Sequence, residues 1–151
     1  MICVEYAILQ REYDRAFKLY NSIITEKEQL FMITQPSAIE YGKDKVQTTP
    51  KNPLETYIEQ KEAKRIDQRL EEAKTLLYDR DYLLKAKKRE LVASKVLDDL
   101  IFRYKNIDGI KVSHIAEMLG FSTSQVYRIL HQIDKKIKLA TKCDKMRIDM
   151  C

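Results

Sequence analysis

The sequence predicts an all-α protein. Its 151 residues include three glycines and three prolines, and charged residues make up 34% of the chain. Few helix breakers combined with many charged side chains are typical of long amphipathic helices. Apolar residues also recur at helical spacing over long stretches. We therefore expect a long antiparallel helical hairpin, followed by a three-helix domain towards the C-terminus.

The first predicted helix spans about residues 2–33, a stretch without glycine or proline. Its apolar residues are separated by three or four positions, which places them along one side of an amphipathic helix. These residues are Tyr6, Leu9, Tyr13, Ala16, Phe17, Tyr20, Ile24 and Phe31. A loop is expected over residues 34–53, because three prolines and a glycine punctuate that segment.

A second helix is predicted over residues 54–88, with a length close to that of the first, roughly 50 Å at about 1.5 Å per residue. Two such helices joined by one loop favour an antiparallel hairpin over residues 1–89. Imperfect heptads leave two roles open for this hairpin, a simple spacer or a surface that packs against a second copy or another protein. The apolar residues of the second helix are Leu54, Ile58, Ile66, Leu70, Ala73, Leu77 and Leu84.

A third helix is predicted over about residues 90–105, because leucines recur there at helical spacing and Asp108-Gly109 supplies a stop signal. Together with the two helices that follow, it forms a predicted domain over residues 90–140. Two helices alone cannot enclose a core, so this helix is expected to cover their buried side. Residues 141–151 are interpreted as a polar tail.

The segment VSHIAEMLGFSTSQVYRILH at residues 112–131 has the pattern of a helix-turn-helix. Gly120 reaches left-handed backbone angles easily, as the turn between two helices requires. Ser122 and Gln125 have the spacing of a capping box at the start of the second helix. Ala116 allows close helix crossing, and Val126 provides an apolar contact after the turn. An ordinary αα-corner in a helical bundle is the alternative interpretation.

The side of the second helix opposite its apolar residues is the predicted DNA-binding surface. The first turns of such a helix enter the major groove, where Arg pairs with guanine and Gln with adenine. Base contacts are therefore predicted for Ser124, Gln125 and Arg128. Contacts to the DNA backbone are predicted for Thr123, Tyr127, His131, Lys135, Lys136 and Lys138.

The distribution of charge agrees with a nucleic-acid partner. The chain has a formal net charge of +5. Residues 110–151 hold eight basic and four acidic side chains, whereas residues 1–53 hold seven of each. Most of the excess positive charge therefore lies on and after the predicted helix-turn-helix, where it would neutralise phosphates.

Several other classes of protein are not favoured by the sequence. Cys3, Cys143 and Cys151 lack metal-ligand spacing, and with only two histidines we expect no metal site and no cofactor. No phosphate-binding glycine loop or acid–base constellation suggests an enzyme. No signal peptide or membrane span is apparent, so a reduced, cytoplasmic protein is expected.

The segment RYKNIDGIKVSHIAEMLGFSTSQVYRILHQI resembles region four of sigma factors. The chain as a whole resembles phage-encoded late-transcription regulators of the ArpU/RinA type, from phages and prophages of Gram-positive bacteria. A second marker is DKVQTTPKNPLE, residues 44–55, similar to the D-x-V-Q-T-S-P motif of that group. The resemblance covers about residues 40–140. It implies a DNA-binding regulator of late phage genes, expected to be an activator that acts with host RNA polymerase, with Thr123, Ser124, Gln125 and Arg128 at recognition positions. Whether it recruits polymerase like a sigma factor, displaces one or bends DNA stays open.

This chain departs from that group at two places. Lys111 stands where the group often has Ser or Thr at the start of its first reader helix, and HQIDKKI replaces the group's small apolar run after V-Y-R. Two other functions stay open. One is the small subunit of a phage terminase, a ring-forming protein that recognises the packaging site. The other is a helical adaptor that binds protein partners through its hairpin.

Overall fold

The computed structural model describes residues 1–34 and 52–148, and these residues are helical apart from short connections. No strand occurs among them, so the predicted all-α class is confirmed. The helices are α1 (Ile2–Thr34), α2 (Pro53–Ala63), α3 (Ile66–Ala93), α4 (Leu97–Asn106), α5 (Val112–Leu119) and α6 (Thr123–Ile148). Residues 35–51, which hold most of the predicted loop and of the DKVQTTPKNPLE segment, lie outside the described residues, as do residues 149–151.

The predicted helix over residues 54–88 is two helices. The chain breaks between α2 and α3 at Lys64 and Arg65, and Arg65 has a φ of 50°, in the left-handed region. This break allows Tyr57 of α2 and Ile66 of α3 to join the same apolar cluster. No glycine or proline lies at this position, so the sequence pattern predicted one continuous helix there.

The predicted helix over residues 90–105 starts later than expected. α3 continues to Ala93, and α4 begins at Leu97 after a short connection. The Ser94 hydroxyl accepts a hydrogen bond from the Val96 N–H at 3.3 Å and donates one to the Asp99 carboxylate at 2.7 Å. These side-chain contacts replace helical hydrogen bonds and stabilise the connection.

The predicted polar tail is also wrong in part, because α6 continues to Ile148. Neither glycine nor proline follows Ser122, so nothing in the sequence stops the helix. The buried Ile137 lies beyond the first four turns of α6, and its burial stabilises the far part of the helix.

The chain divides into two compact units rather than at the predicted boundary after residue 89. One unit, here called the α4–α6 unit, comprises residues 1–14 and 79–151; the other, the 15–78 unit, comprises the residues between. The start of α1 and the end of α3 belong with α4–α6 because Cys3 and Leu91, both fully buried, share a cluster with Phe102.

The 15–78 unit is built around a cluster whose buried members are Ile23, Leu30, Ile66 and Ala73. The buried side of α1 differs only in part from the predicted one, since Ala16 is buried as predicted. Ile23 and Leu30 are also buried, however, while Phe31 is 46% exposed. α1 carries apolar residues around much of its circumference, so spacing alone did not identify the inner row.

Ion pairs join α1 and α3 within each unit. In the 15–78 unit, Glu26 pairs with Arg69 and Lys27 with Asp67, both at 3.0 Å. In the α4–α6 unit, Glu5 pairs with Lys87 at 2.7 Å and Glu12 with Arg80 at 3.0 Å. Within each unit, residues later in α1 pair with residues earlier in α3. These side chains are partly exposed to solvent, so each ion pair contributes little to the stability of the fold.

Candidate nucleic-acid interface

The turn between α5 and α6 has the predicted backbone geometry. Gly120 caps α5 in the left-handed conformation, with φ 71° and ψ 28°, and its N–H donates to the carbonyls of Ala116 and Glu117. The Phe121 N–H also donates to the Ala116 carbonyl, at 2.9 Å. The prediction for Gly120 is confirmed, since glycine adopts this conformation without a steric penalty.

A capping box fixes the start of α6, as predicted. The Ser122 hydroxyl oxygen accepts from the Gln125 backbone N–H at 3.3 Å, and the Gln125 side-chain oxygen accepts from the Ser122 N–H at 2.9 Å. The Ser122 hydroxyl also donates to the same oxygen, at 3.2 Å. Gln125 is exposed, but the oxygen that a bidentate contact to adenine needs is already engaged in the cap.

The side of α6 that faces the other helices is tightly packed. Ile101 of α4, Ile115 of α5 and Val126 of α6 are each 0% exposed and lie in one cluster with Val112 and Ala116. Burying side chains of this size stabilises the unit by about 1.5–3 kcal/mol for each. The orientation of α6 is therefore fixed by contacts with both α4 and α5.

The opposite side of α6 is polar and exposed, and it brings most of the predicted contact residues together. Ser124, Arg128, His131 and Lys135 follow one another at four, three and four positions, so they line one helix face. Thr123 stands at the first helical position, and Lys138 continues the face. Tyr127 flanks it, with 61% of its surface exposed.

Lys136 is the one predicted backbone contact that points elsewhere. Its Nζ lies 3.8 Å from the Asp98 carboxylate of α4 and 3.8 Å from the sulfur of Met1. This position is next to Ile133 and Ile137 on the inner side of α6, where both isoleucines are buried. Half of the Lys136 side chain is exposed, but it belongs to the flank that meets α4.

One exposed cation was missed by the sequence interpretation. Lys142 was placed in a polar tail, yet it lies on α6, fourteen residues after Arg128 and therefore close to the same face. Continuing the helical period past residue 140 would have identified it. Among the residues that the structure describes, Arg128, Lys135, Lys138 and Lys142 form no ion pair.

A second core supports the middle and the far part of α6. Ile133 and Ile137 are 1% and 5% exposed and share a cluster with Cys3, Leu91 and Phe102. Further along, the Arg11 guanidinium donates to the Thr141 hydroxyl oxygen at 3.3 Å. α6 is thus held along much of its length, and the exposed side chains project from a packed helix.

A buried carboxylate joins the start of α1 to α4. Asp99 is 1% exposed, and its oxygens accept from the Cys3 backbone N–H at 2.9 Å and from the Ser94 hydroxyl at 2.7 Å. Burial opposes ionisation of Asp99, but these hydrogen bonds outweigh it and hold its pKa below the usual range. Burial, reinforced by the nearby carboxylate, raises the pKa of the Cys3 thiol to about 12. The thiol is therefore protonated at neutral pH.

The start of α5 lacks a side-chain cap. Lys111 occupies the cap position in an extended conformation, and no side-chain hydrogen bond is made there. The helix nevertheless begins at Val112, which is 6% exposed, so burial substitutes for the missing cap. The departure at Lys111 noted in the sequence thus leaves α5 intact.

The residues that the structure describes include no group of three or more His, Cys, Asp and Glu side chains able to hold a metal ion. In the same ranges, no helix is both long and apolar enough to cross a bilayer. Cys3 and Cys143 are free thiols, the first buried and the second exposed.

Comparisons with protein-family models, with curated proteins and with solved structures find no match to this chain.

Proposed function

We propose that α5 and α6 form a helix-turn-helix that binds double-stranded DNA in a sequence-specific manner. The observation that carries this proposal is the exposed face of α6. It starts at a capped helix end, holds Ser124, Arg128 and Lys135 in one line, and lies opposite the side of α6 that packs into the core. A helix held in this way can insert its first turns into a major groove, as recognition helices do.

Arg128 is the central residue for reading sequence in this proposal. It lies in the second turn of α6, is exposed, and has no acidic partner within the described ranges. Its guanidinium can donate two hydrogen bonds to O6 and N7 of guanine. Ser124, one turn earlier, reaches a neighbouring base edge, and Thr123 at the helix start reaches a phosphate. Gln125 acts first as a capping residue and contacts adenine only if it leaves that cap.

His131, Lys135 and Lys138 lie further from the inserted end and contact the DNA backbone in this proposal. Tyr127 contacts it from the flank through its hydroxyl group. Phosphate contacts of this kind position a protein on the duplex and make binding depend on salt. Lys136 is left out of this set, because it pairs with Asp98.

The biological role that we propose is regulation of transcription, as an activator of late genes of a phage or prophage acting with host RNA polymerase. This part rests on the resemblance of residues 40–140 to the ArpU/RinA type. The geometry of α4–α6 is compatible with this role. Ile101, Ile115 and Val126 pack the inner side of the unit, and the polar face of α6 on the other side is exposed and could bind promoter DNA. Enzymatic chemistry forms no part of the proposal.

The experiment is a binding titration with duplexes from the neighbourhood of the gene and from the late operon, with random duplex as competitor. Arg128→Ala is expected to weaken specific binding by about 1–3 kcal/mol and to relax preference at one base pair. Arg128→Lys keeps the charge but loses the bidentate geometry, so it should lose the same preference. Lys135→Ala should weaken binding to all sequences about equally. Equal losses for Arg128→Ala on specific and random DNA would contradict the proposal.

A further inference from the structure

The exposed face of α6 is longer than a major groove is wide. The α6 basic row, as we call it here, consists of Arg128, His131, Lys135, Lys138 and Lys142, which follow one another at intervals of three, four, three and four residues. At about 1.5 Å rise per residue, Arg128 and Lys142 are separated by roughly 21 Å along the helix axis. The major groove of B-DNA is about 12 Å wide. A helix that places Arg128 in the groove therefore carries Lys142 beyond its edge.

The far part of the row is anchored to the rest of the α4–α6 unit. Ile137, between Lys135 and Lys138, is 5% exposed and belongs to the cluster with Cys3 and Leu91. Thr141, next to Lys142, accepts a hydrogen bond from Arg11 and donates one to the Ile137 carbonyl at 2.7 Å. The lysines at positions 138 and 142 are thus presented at a fixed spacing from Arg128.

The charges of the row are available to a partner. Within the described residues, none of its three lysines forms an ion pair, whereas Lys136 on the inner flank pairs with Asp98. Leu139, which follows Lys138 in the sequence, is 64% exposed. Protein interfaces have cores that are depleted of charge, whereas interfaces with DNA are strongly basic. The row therefore fits a polyanion better than a protein surface.

We infer that Lys138 and Lys142 bind phosphates of the DNA strand that borders the groove entered by Arg128. The bound duplex then extends past the base pairs that α6 reads, on the side where α6 leaves the groove. This inference rests on the proposed function. It adds Lys142 to the residues that contact DNA, and it says on which side of the base pairs contacted by α6 the bound duplex extends. In this inference, the part of α6 up to Arg128 contacts bases, and the part after it contacts only phosphates.

The test is the double variant Lys138→Ala/Lys142→Ala, with affinities measured from low to high salt on a specific and on a random duplex. Affinity falls as salt rises, and each lost phosphate contact reduces the magnitude of the slope of log affinity against log salt by about 1. The magnitude of the slope should therefore decrease by about 2 on both duplexes. The ratio of specific to random affinity should stay unchanged. Alanine favours helix, so α6 is expected to remain folded, which circular dichroism checks.

A matched control is Lys74→Ala/Lys136→Ala, which removes the same two charges from outside the row. Lys74 is exposed on α3 and Lys136 pairs with Asp98, so this variant should keep a slope close to that of the wild type. Duplexes shortened by one base pair at a time from either end provide a second readout. When the duplex is shortened from one of its two ends, the wild type should lose affinity at a greater remaining length than Lys138→Ala/Lys142→Ala does. Shortening from the other end should affect both proteins alike.

An unchanged slope in Lys138→Ala/Lys142→Ala, with specific binding intact, would overturn this inference and leave the proposed function standing. Slopes lowered equally by both double variants would also overturn it, since net charge alone would then account for the effect. If the wild type instead prefers no sequence at all, the proposed function itself fails. The two failures are therefore distinguishable in one set of titrations.

Discussion

The two units of the chain use their apolar residues differently. In the α4–α6 unit, Ile101, Ile115 and Val126 are fully buried between three helices. In the 15–78 unit, Ile23 and Ile66 are buried, but Met32 and Ile33 are 76% and 78% exposed. In the α4–α6 unit, α4, α5 and α6 pack around these three side chains, and α6 turns a polar face outward. The proposed DNA-binding surface therefore lies on a helix, α6, whose opposite side packs into a buried core.

A pair of identical substitutions makes this difference measurable. Ile115→Ala removes a fully buried side chain and leaves a cavity, so it should lower the free energy of unfolding by about 2–5 kcal/mol. Ile33→Ala removes a side chain that is 78% exposed and should change it by less than about 0.5 kcal/mol. Urea unfolding followed by circular dichroism provides both values. Equal effects would show that the two units are not packed as described.

The buried carboxylate provides the next largest expected effect. Asp99→Ala leaves the Cys3 N–H and the Ser94 hydroxyl without their acceptor, so the free energy of unfolding should fall by about 2–4 kcal/mol. The neighbouring Asp98→Ala removes only a long, partly exposed ion pair with Lys136 and should cost less than about 1 kcal/mol. A similar loss in both variants would argue against a special role for Asp99.

The same carboxylate predicts a dependence of stability on pH. Because the pKa of Asp99 is lowered in the folded state, its ionised form stabilises the fold above the unfolded-state pKa of about 3.9. This contribution is lost as the pH falls through the lowered pKa. The difference in unfolding free energy between the wild type and Asp99→Asn should therefore shrink on acidification below about pH 4. A difference that stays constant from pH 7 to pH 2 would contradict this linkage.

A smaller effect is expected at the start of α6. Ser122→Ala removes the hydroxyl that accepts from the Gln125 N–H, and loss of such a cap costs about 1 kcal/mol. Ser124→Ala, two residues later on the exposed face, should leave stability within about 0.5 kcal/mol of the wild type. Thermal unfolding of both variants checks this. A larger loss for Ser124→Ala would mean that the exposed face is not free.

The smallest expected effect concerns the break between α2 and α3. Arg65 has a left-handed φ of 50°, which is unfavourable for a residue with a side chain. Arg65→Gly should relieve this strain and raise the free energy of unfolding by up to about 1 kcal/mol. Lys64→Gly, at a position with right-handed helical angles, should lower it by about the same amount. Destabilisation by Arg65→Gly would contradict the described break.

The features that the sequence predicted correctly are those with local causes. The turn at Gly120 and the capping box of Ser122 and Gln125 each involve residues at most five positions apart, and both are found. Such contacts depend on backbone geometry and short spacings, which a single sequence contains. The exposed face of α6 follows from the same helical period.

The features that the sequence missed depend on contacts between distant positions. The connection between α3 and α4 is stabilised by Asp99, which binds the backbone of Cys3, ninety-six residues away. The break at Arg65 similarly brings Tyr57 and Ile66 into one cluster. Neither position has a glycine or proline to signal it. Spacing rules describe residues that are close in sequence, so they do not predict such tertiary contacts. These contacts interrupt the helices because they outweigh local helix propensity.

The most direct test of sequence-specific recognition by α6 is selection from a pool of random duplexes, carried out in parallel with wild-type protein and Arg128→Ala. We expect the wild type to enrich one sequence that contains a guanine in a fixed position, and Arg128→Ala to enrich the same sequence with that position relaxed. A wild-type protein that enriches no sequence, or a variant whose selected sequence is identical at every position, would contradict this expectation.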